Sequence, residues 1–244
     1  MIFAAGKGTR LGDLTKYCPK ALVRVNGVPL LQFAIKNLIR FGFYEIIINI
    51  HHQGDHILQF LKEKNNFGIR IDISDERDEL LDTGGGLRKA SWFLEGEEPF
   101  LLYNVDVFTD LDLRDIYDFH VASGFIATLA VRHRNTARYL ILDDHKFLCG
   151  WTNTKTDEII NSRDTGKRPE KVAFSGIQVL SPEILNLLPD KKVFPILEFY
   201  LNLASRYTIG TYSHDHTRWI DVGNPGTLKV AENIFPELSD RNTS

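Results

Sequence analysis

The chain contains 244 residues, of which 43% are hydrophobic and 25% charged, with 29 Lys and Arg against 32 Asp and Glu. This length predicts one large domain with a substantial core, and the near-neutral charge argues against a general nucleic-acid-binding protein, which would be basic. The chain has no apolar run long enough for a membrane span and no secretory signal pattern, so we expect no membrane partner and a cytoplasmic location. Two cysteines, Cys18 and Cys149, are too few for a disulfide framework, which favours the same compartment.

Positive charge is concentrated near the start of the chain. The basic residues among the first 24 are Lys7, Arg10, Lys16, Lys20 and Arg24, and the only acidic residue there is Asp13. Because the remainder of the chain is acidic, this local excess predicts a small anionic ligand.

Short β-branched runs alternate with amphipathic runs in the first half, which predicts an α/β sandwich with a largely parallel sheet. Strands are expected at residues 2–5, 45–50, 69–74 and 99–106, and helices at 29–41, 55–65, 86–94 and 113–123.

The pattern changes near residue 125 to strands joined by polar turns, which predicts a mixed or antiparallel second half. Strands are expected at 126–132, 138–142, 147–151 and 172–180, helices at 182–188, 194–205 and 225–234, and extended segments at 207–213 and 218–221. We expect one domain over residues 1–236, with the change of pattern near residues 124 and 125 dividing it into two halves. Residues 237–244 are expected to form a flexible tail, with disorder at 239–244.

A glycine-rich loop, Ala4-Ala5-Gly6-Lys7-Gly8-Thr9-Arg10-Leu11, follows the first predicted strand, and Pro19-Lys20 comes shortly after it. Backbone without a Cβ atom approaches an anion closely, and Arg10 and Lys20 add full positive charges. The dinucleotide fingerprint fails because Leu11 stands where glycine is required, and the Walker pattern fails because Gly8 occupies the hydroxyl position. The loop alone also fits an ordinary strand-to-helix connection.

The arrangement of this loop and the following Pro-Lys-Ala-Leu resembles the signature of the sugar-1-phosphate nucleotidylyltransferases. The match continues in the family's order through Asn49-Ile50-His51-His52, Asp82-Thr83-Gly84-Gly85-Gly86, Asn104-Val105-Asp106 and Trp219-Ile220-Asp221-Val222-Gly223. The resemblance implies a Rossmann-like three-layer sandwich with a mixed, mostly parallel central sheet, of the nucleotide-diphospho-sugar transferase type. The length is similar to the compact uridylyl and guanylyl branch, and the Thr-Gly-Gly-Gly segment to N-acetylmuramate-1-phosphate uridylyltransferases.

The activity implied by the resemblance joins a nucleoside triphosphate, with UTP favoured over GTP, to a sugar 1-phosphate and releases pyrophosphate. Arg10 is expected to screen the departing pyrophosphate, and Lys20 to contact the α-phosphate. The implied nucleotide-binding residues are Ala4, Ala5, Gly6, Gly8, Thr9, Gly84, Gly85 and Gly86. Position and charge neutralisation supply most of the rate in such transfers.

Asp106 and Asp221 are the metal ligands that the resemblance implies, with Mg²⁺ as the cofactor. Magnesium is held by one or two carboxylates, with waters and substrate phosphates completing its shell. Asp110 and Asp112 are equally plausible loop acids from the residues alone. Relatives commonly carry glycine before the metal aspartate, whereas Val105 stands here, so either the turn differs or it never needed a positive φ.

The resemblance implies a nucleotide-binding half to about residue 124 and a sugar-binding half over about 125–236, so the sugar pocket is expected in the second half of the chain. The candidates are Asn161, Ser175, Gly176 and Trp219. Gly176 has room for a sugar substituent and Trp219 a face on which a pyranose stacks, although core packing explains both residues equally well. His51, His52 and His56 lack a fourth partner for zinc, so we expect no zinc site.

Two other functions remain open from the sequence. A nucleotide-sugar sensor would keep the pocket without turnover, and a nicotinamide-dependent oxidoreductase would require the glycine that Leu11 replaces. The residues do not determine the base, the sugar or the oligomeric state. They also do not determine the true start of the chain, because Met1 already lies inside the first predicted strand.

Overall fold

The computed structural model of the protein describes residues 1–238. The strands are β1 (Ile2–Phe3), β2 (Arg24–Val25), β3 (Val28–Pro29), β4 (Glu45–Ile50), β5 (Arg70–Asp75), β6 (Phe100–Asn104), β7 (Val107–Thr109), β8 (Ala127–Arg132), β9 (Arg138–Leu142), β10 (Leu148–Asn153), β11 (Glu158–Asn161), β12 (Glu170–Leu180), β13 (Ile209–Ser213) and β14 (Trp219–Asp221). The α-helices are α1 (Leu30–Arg40), α2 (Gly54–Glu63), α3 (Asp82–Lys89), α4 (Ser91–Leu94), α5 (Leu113–Ser123), α6 (Ile196–Ala204) and α7 (Pro225–Ile234). Short 3-10 helices cover Thr9–Thr15, Lys20–Leu22, Asn65–Gly68, Pro182–Leu187 and Pro236–Leu238.

The backbone packs as two compact units. The first contains residues 1–80, 103–113 and 217–238, and the second contains residues 81–102 and 114–216. The expected single domain over residues 1–236 stays a prediction. Of the expected tail, Glu237 and Leu238 belong to the last 3-10 helix, and residues 239–244 lie outside the described residues.

The first unit contains a parallel sheet built on β1, β4 and β5. Strand β1 pairs in parallel with β4 on one side and with Tyr103 and Asn104 of β6 on the other, and β4 pairs with β5. Parallel strands are normally covered on both faces, which explains why five of the six residues of β4 are buried, four of them isoleucines. Strand β1 has only two residues, so its backbone ladder ends at Phe3.

Helix α1 belongs to the same unit and follows the β2–β3 hairpin. Asn26 and Gly27 form the hairpin turn with φ of 47° and 79°, which suits a tight two-residue connection. The helix buries one apolar face, comprising Leu30, Leu31, Ala34, Ile35 and Leu38. The predicted turn and apolar face are therefore both present.

The second unit contains the antiparallel strands. Strand β12 pairs with β8 and β9, and β10 pairs with β9 and β11, all antiparallel, while β13 adds to β8 in parallel. The predicted change of sequence pattern near residue 125 thus corresponds to a change from parallel to mainly antiparallel strand pairing. The edge strand β11 was not predicted, because its sequence Glu-Ile-Ile-Asn has no alternation and all four residues are exposed.

The predicted Rossmann-like α/β class with a mixed sheet is confirmed. The helices at 113–123 and 225–234 and the strand at 138–142 have the predicted bounds. In residues 1–238, no helix has both the length and the apolar character needed to cross a membrane.

One helix begins earlier than predicted. Helix α3 starts at Asp82 instead of residue 86 and therefore includes Gly84, Gly85 and Gly86, which are poor helix formers. The N–H groups of Gly84 and Gly85 donate to the carbonyl of Phe194 at 2.9 and 3.2 Å. This carbonyl satisfies donors that a helix start leaves free, so a tertiary contact stabilises a segment that local propensity disfavours.

Candidate active site

Asp106 and Asp221 lie side by side on two paired segments of the first unit. Strands β7 and β14 are antiparallel, with Asp221 opposite Val107, and the N–H of Val222 donates to the carbonyl of Asp106 at 2.9 Å. The structure therefore brings together two acids that are far apart in the sequence. Both side chains are partly exposed, as ligand-binding carboxylates must be.

Val105, which precedes Asp106, does not take a positive φ, since it is absent from the positive-φ residues of the described chain. Its N–H donates to the carbonyl of Phe3 at 3.1 Å, and its side chain is buried. The turn before this aspartate therefore has no need of glycine, which accounts for the departure from the family pattern.

Lys20 forms an ion pair with Asp106, between Nζ and Oδ2, and both side chains are largely buried, with 12% and 17% of their surfaces exposed. Pro19 precedes the 3-10 helix that begins at Lys20, and its fixed φ sets the direction of the chain there. The pair places a cation beside the carboxylate in a site that water reaches poorly, where charge interactions are stronger than at an open surface.

Gly8 supports the position of Lys20. Its φ is 66°, and a Cβ atom at Gly8 would lie 2.8 Å from the Cβ of Lys20 and 3.0 Å from a methyl group of Thr15. Thr15 donates its hydroxyl to the carbonyls of Gly8 and Gly12, both at 3.1 Å. The glycine is thus required both for the backbone conformation and for the close approach of the lysine stem.

Arg10 lies close to Asp221 at Gly223. A Cβ atom at Gly223 would lie 3.0 Å from Nη2 of Arg10 and 3.1 Å from Oδ1 of Asp221. The turn after Asp221 is fixed by a capping box at the start of α7, in which Asn224 and Thr227 satisfy each other's backbone donors. Arg10, Lys20, Asp106 and Asp221 therefore surround one region of the first unit.

The glycine-rich loop is anchored at its start and exposed beyond it. The N–H groups of Ala4 and Ala5 donate to Oδ1 of Asn49 at 2.7 and 3.3 Å, so these two donors are engaged within the protein. Gly6, Lys7 and Thr9 are exposed or partly exposed. The described part of the predicted phosphate loop that remains open to a ligand thus begins at Gly6.

His51 directly follows β4, and the charge of Lys7 in the glycine-rich loop acts on its imidazole. Burial and the nearby charge of Lys7 lower the pKa of its imidazole, which therefore stays neutral at physiological pH. Its Nδ1 atom is buried without a hydrogen-bond partner in the described chain.

The donor set fits a hard divalent cation. Among residues 1–238, no three His, Cys, Asp or Glu side chains converge as a metal cluster. Two neighbouring carboxylates are what such a cation needs when substrate phosphates and waters supply its other ligands. Asp106 and Asp221 would hold it, although Asp106 already contacts Lys20.

The predicted base-pocket glycines lie in α3 of the second unit and are all buried. A Cβ atom at Gly84 would lie 2.3 Å from the ring of Phe194, and one at Gly85 would lie 2.2 Å from the carbonyl oxygen of Lys192. Close packing therefore already requires glycine at two of the three positions, whether or not a base binds there.

The predicted sugar residues occupy different surroundings. Asn161 is exposed at the end of β11, and Gly176 is buried with φ of 78° at an irregularity of β12. Ser175 has no exposed surface and is hydrogen bonded to Nε2 of His214 at 2.7 Å, so its side chain offers a sugar no contact in this conformation. Trp219 is half-buried in β14, opposite Thr109.

Sequence reasoning missed Glu76, which lies behind the loop, and the spacing role of Gly223. Asn49 was noticed only as part of a motif. Glu76 is fully buried and accepts a hydrogen bond from Nδ2 of Asn49 at 2.7 Å. A glutamate directly after a strand looks like a surface residue, and the sequence carries no signal that this one faces inward.

Comparison with known proteins bears on the fold and the family of the chain. At the level of fold, residues of the chain superpose on the solved structure of HddC from Yersinia pseudotuberculosis complexed with GMP-PN, with a TM-score of 0.75, 21% identity and coverage of 96% and 97% of the two chains. The molecule therefore shares the α/β fold of that structure.

Sequence comparison identifies the family. The family model described as Nucleotidyl transferase matches residues 1–235. The chain is 29% identical to N-acetylmuramate alpha-1-phosphate uridylyltransferase of Neisseria meningitidis serogroup B, over 95% of this chain and 96% of that one. It is 30% identical to mannose-1-phosphate guanyltransferase of Kluyveromyces lactis, over 92% of this chain but only 61% of that one.

The chain belongs to the nucleotidyl transferase family. The predicted resemblance to sugar-1-phosphate nucleotidylyltransferases and the prediction of an enzyme of this class are both confirmed. Nucleotidyltransferases of this family generally use a divalent metal ion.

Proposed function

We propose that the protein is a Mg²⁺-dependent uridylyltransferase that joins UTP to a sugar 1-phosphate. The observation that carries the proposal is the cluster of Arg10, Lys20, Asp106 and Asp221 around one region of the first unit. Two cations and two carboxylates beside an exposed glycine-rich loop match the needs of a polyphosphate and its metal.

In the proposed reaction, an oxygen of the sugar phosphate attacks the α-phosphorus of the nucleoside triphosphate. The bond from that phosphorus to the bridging oxygen breaks, and pyrophosphate leaves. No general base is required, because a phosphate monoester is already anionic at neutral pH. A bound Mg²⁺ would neutralise charge on the triphosphate, held by Asp106 and Asp221.

Lys20 and Arg10 have separate roles in this proposal. Lys20 leaves its partner Asp106 and donates to the α-phosphate, whose charge is redistributed in the transition state. Arg10, which is exposed, screens the pyrophosphate as it departs. Gly6, Gly8 and Thr9 hold the triphosphate through the loop backbone, and Gly84, Gly85 and Gly86 are proposed to contact the base.

The choice of UTP is supported by sequence similarity. The chain is 29% identical to the N-acetylmuramate alpha-1-phosphate uridylyltransferase of Neisseria meningitidis serogroup B over 95% of this chain. With N-acetylmuramate 1-phosphate as its sugar substrate, the enzyme would supply a precursor of the cell wall. We propose that Asn161, Gly176 and Trp219 contact the sugar. Ser175 would act only through its backbone, which sets the position of Gly176 beside it in β12.

A guanylyltransferase acting on mannose or heptose 1-phosphate is the second candidate. It is favoured by the fold similarity to HddC, a protein solved with GMP-PN, which matches this chain over nearly its whole length. A non-catalytic sensor of nucleotide sugars would bind the same ligands without turnover.

A matrix of four nucleoside triphosphates against several sugar 1-phosphates, scored by pyrophosphate release with Mg²⁺, tests the proposal. The expected result is release with UTP and an amino-sugar phosphate, and its loss in D106N. Release only with GTP would select the second candidate. Binding of UTP without release from any pair would select the sensor.

A further inference from the structure

A buried carboxylate lies behind the phosphate loop. Glu76 has no exposed surface, and its N–H donates to the carbonyl of Ile50 at 2.7 Å, which holds it against the end of β4. Glutamate is almost never fully buried unless it is partnered, because removing a charge from water is costly. The carboxyl group of Glu76 therefore requires hydrogen-bond partners inside the protein, and Asn49 is one of them.

A directed chain of hydrogen bonds joins this carboxylate to the loop. Nδ2 of Asn49 donates to Oε1 of Glu76 at 2.7 Å, and Oδ1 of Asn49 accepts from the N–H groups of Ala4 and Ala5. A backbone N–H only donates, so Oδ1 of Asn49 must be the atom that faces Ala4 and Ala5. Nδ2 is then the atom that donates to Glu76, which fixes the orientation of the amide.

These bonds begin where the backbone ladder of β1 ends. Strand β1 pairs with β4 only at Ile2 and Phe3, and Asn49 is the partner of Phe3. The side chain of Asn49 then engages the next two residues, Ala4 and Ala5, immediately before the exposed Gly6. A side chain therefore replaces the missing ladder at the point where the loop leaves the sheet.

We propose that Glu76 and Asn49 are a positioning pair for the phosphate loop, which set the direction in which Gly6 to Arg10 leave β1. The inference rests on the proposed role of this loop in binding the triphosphate. Neither residue touches substrate. Their effect is exerted through the backbone of Ala4 and Ala5, and small misplacements of binding groups cost much in rate.

The test reverses the polarity of the pair. N49D puts a second carboxylate opposite Glu76 and should displace the loop, raising the KM for the nucleoside triphosphate by about tenfold and lowering kcat/KM by roughly 10²-fold. The double variant N49D/E76Q restores a donor at position 76 and an acceptor at position 49. It should recover the triphosphate KM to within about threefold of the wild type, while the KM for the sugar phosphate changes little in either variant.

A second readout does not depend on turnover. Lys7 and Arg10 are exposed trypsin sites within the loop. Cleavage after these residues should accelerate in N49D and return toward the wild-type rate in N49D/E76Q. N37D is the matched control, because Asn37 is also a buried asparagine of the first unit, in α1 and apart from the loop. It should lower the Tm while leaving loop cleavage and the triphosphate KM unchanged.

If N49D does not fold, N49A carries the same test, since it leaves Ala4 and Ala5 without their acceptor and adds no charge. Equal losses of Tm in N49D and N37D, with unchanged loop cleavage and triphosphate KM in both, would overturn the proposal. Failure of N49D/E76Q to restore either readout in a folded protein would also overturn it. A wild-type protein that releases no pyrophosphate would sink the proposed function instead, and the proteolysis would still decide the role of the pair.

Discussion

At the scale of single residues, Lys20 has two competing uses. In the structure its ammonium group pairs with Asp106, and in the proposed reaction it contacts the α-phosphate. In the proposed site, Asp106 would help to hold a divalent cation and Lys20 would contact the α-phosphate. In the structure, the carboxylate and the ammonium group compensate each other's charge in a largely buried position.

Replacing Lys20 by methionine tests this use. K20M keeps the length of the stem and removes the charge, so we expect kcat to fall by about 10²- to 10³-fold, as for the loss of other groups that stabilise transition-state charge. Steady-state pyrophosphate release measures the effect. K36M, which removes an exposed lysine of α1, is the control and should retain full kcat. If K20M lowers kcat by less than tenfold, Lys20 is only a structural partner of Asp106.

Gly8 provides a separate residue-scale prediction. G8A imposes a left-handed φ on alanine, which costs about 1–2 kcal/mol, and also forces a contact with Lys20. We expect a loss of stability together with a drop in kcat. G42A is the matched control, because Gly42 has φ of 88° with no atom within 4 Å of the added Cβ. G42A should lose similar stability by denaturant unfolding and keep its kcat; equal kcat in both variants would contradict the contact argument.

At the scale of elements, helix α5 of the second unit carries a buried histidine. Nδ1 of His120 lies 2.9 Å from the hydroxyl of Thr128, and Nε2 lies 3.1 Å from that of Ser181. Ser181 donates its proton to the carbonyl of Phe125, so Nε2 of His120 must be the donor to Ser181 and Nδ1 the acceptor. This arrangement requires the neutral ring, and burial lowers the pKa of His120 to about 4.

The buried histidine predicts an acid-sensitive fold. An unfolded histidine titrates near 6.5, so between about pH 6.5 and pH 4 the unfolded chain binds a proton that the native chain does not. The free energy of unfolding should therefore be unaffected by this group above pH 6.5 and should fall by about 2–3 kcal/mol as the pH drops to 4. Urea unfolding at several pH values measures this dependence. H120Q should be less stable at pH 7.5 but should lose less stability across the window; parallel curves for both proteins would refute the assignment.

The elements also explain which parts of the fold could be predicted. Helix α1 was recognisable from its hydrophobic periodicity and strand β4 from its short run of isoleucines, because both patterns reflect burial directly. Helix α3 was placed too late because its glycines oppose a helix locally and are compensated only by the distant carbonyl of Phe194. Strand β7 was not predicted, since three residues carry no periodicity and their ladder partner is β14, more than a hundred residues later.

The same reasoning applies to the site. Glycines, cations and aspartates around a phosphate site have composition and spacing that a sequence displays. The Glu76–Asn49 pair has neither, because a buried carboxylate is defined by what surrounds it and not by its neighbours along the chain. Ser175 was named as a sugar-pocket candidate although its side chain is buried, since a serine beside a glycine gives no sign in the sequence that its hydroxyl is enclosed.

At the scale of the whole molecule, charge is distributed unevenly. The chain has a formal charge of −3, yet the loop region around Arg10 and Lys20 is positive. A local positive field on a net negative protein attracts a polyphosphate to one place and repels it from the remainder of the surface.

This distribution predicts a salt-dependent affinity for the triphosphate. Raising KCl from about 50 to 300 mM shortens the screening length to less than half, so the KM for the nucleoside triphosphate should rise several-fold while kcat changes little. Initial rates at constant free Mg²⁺ measure the effect. The KM for the sugar phosphate, which carries less charge, should rise less. A salt-independent triphosphate KM would mean that backbone contacts alone hold the substrate.

The ladder between β7 and β14 makes the proposed metal site a product of long-range folding. The two strands are more than a hundred residues apart, so Asp106 and Asp221 become neighbours only when distant parts of the chain have folded far enough for the strands to pair. In the proposed enzyme, a segment that carries only one of the two strands would therefore lack the second carboxylate.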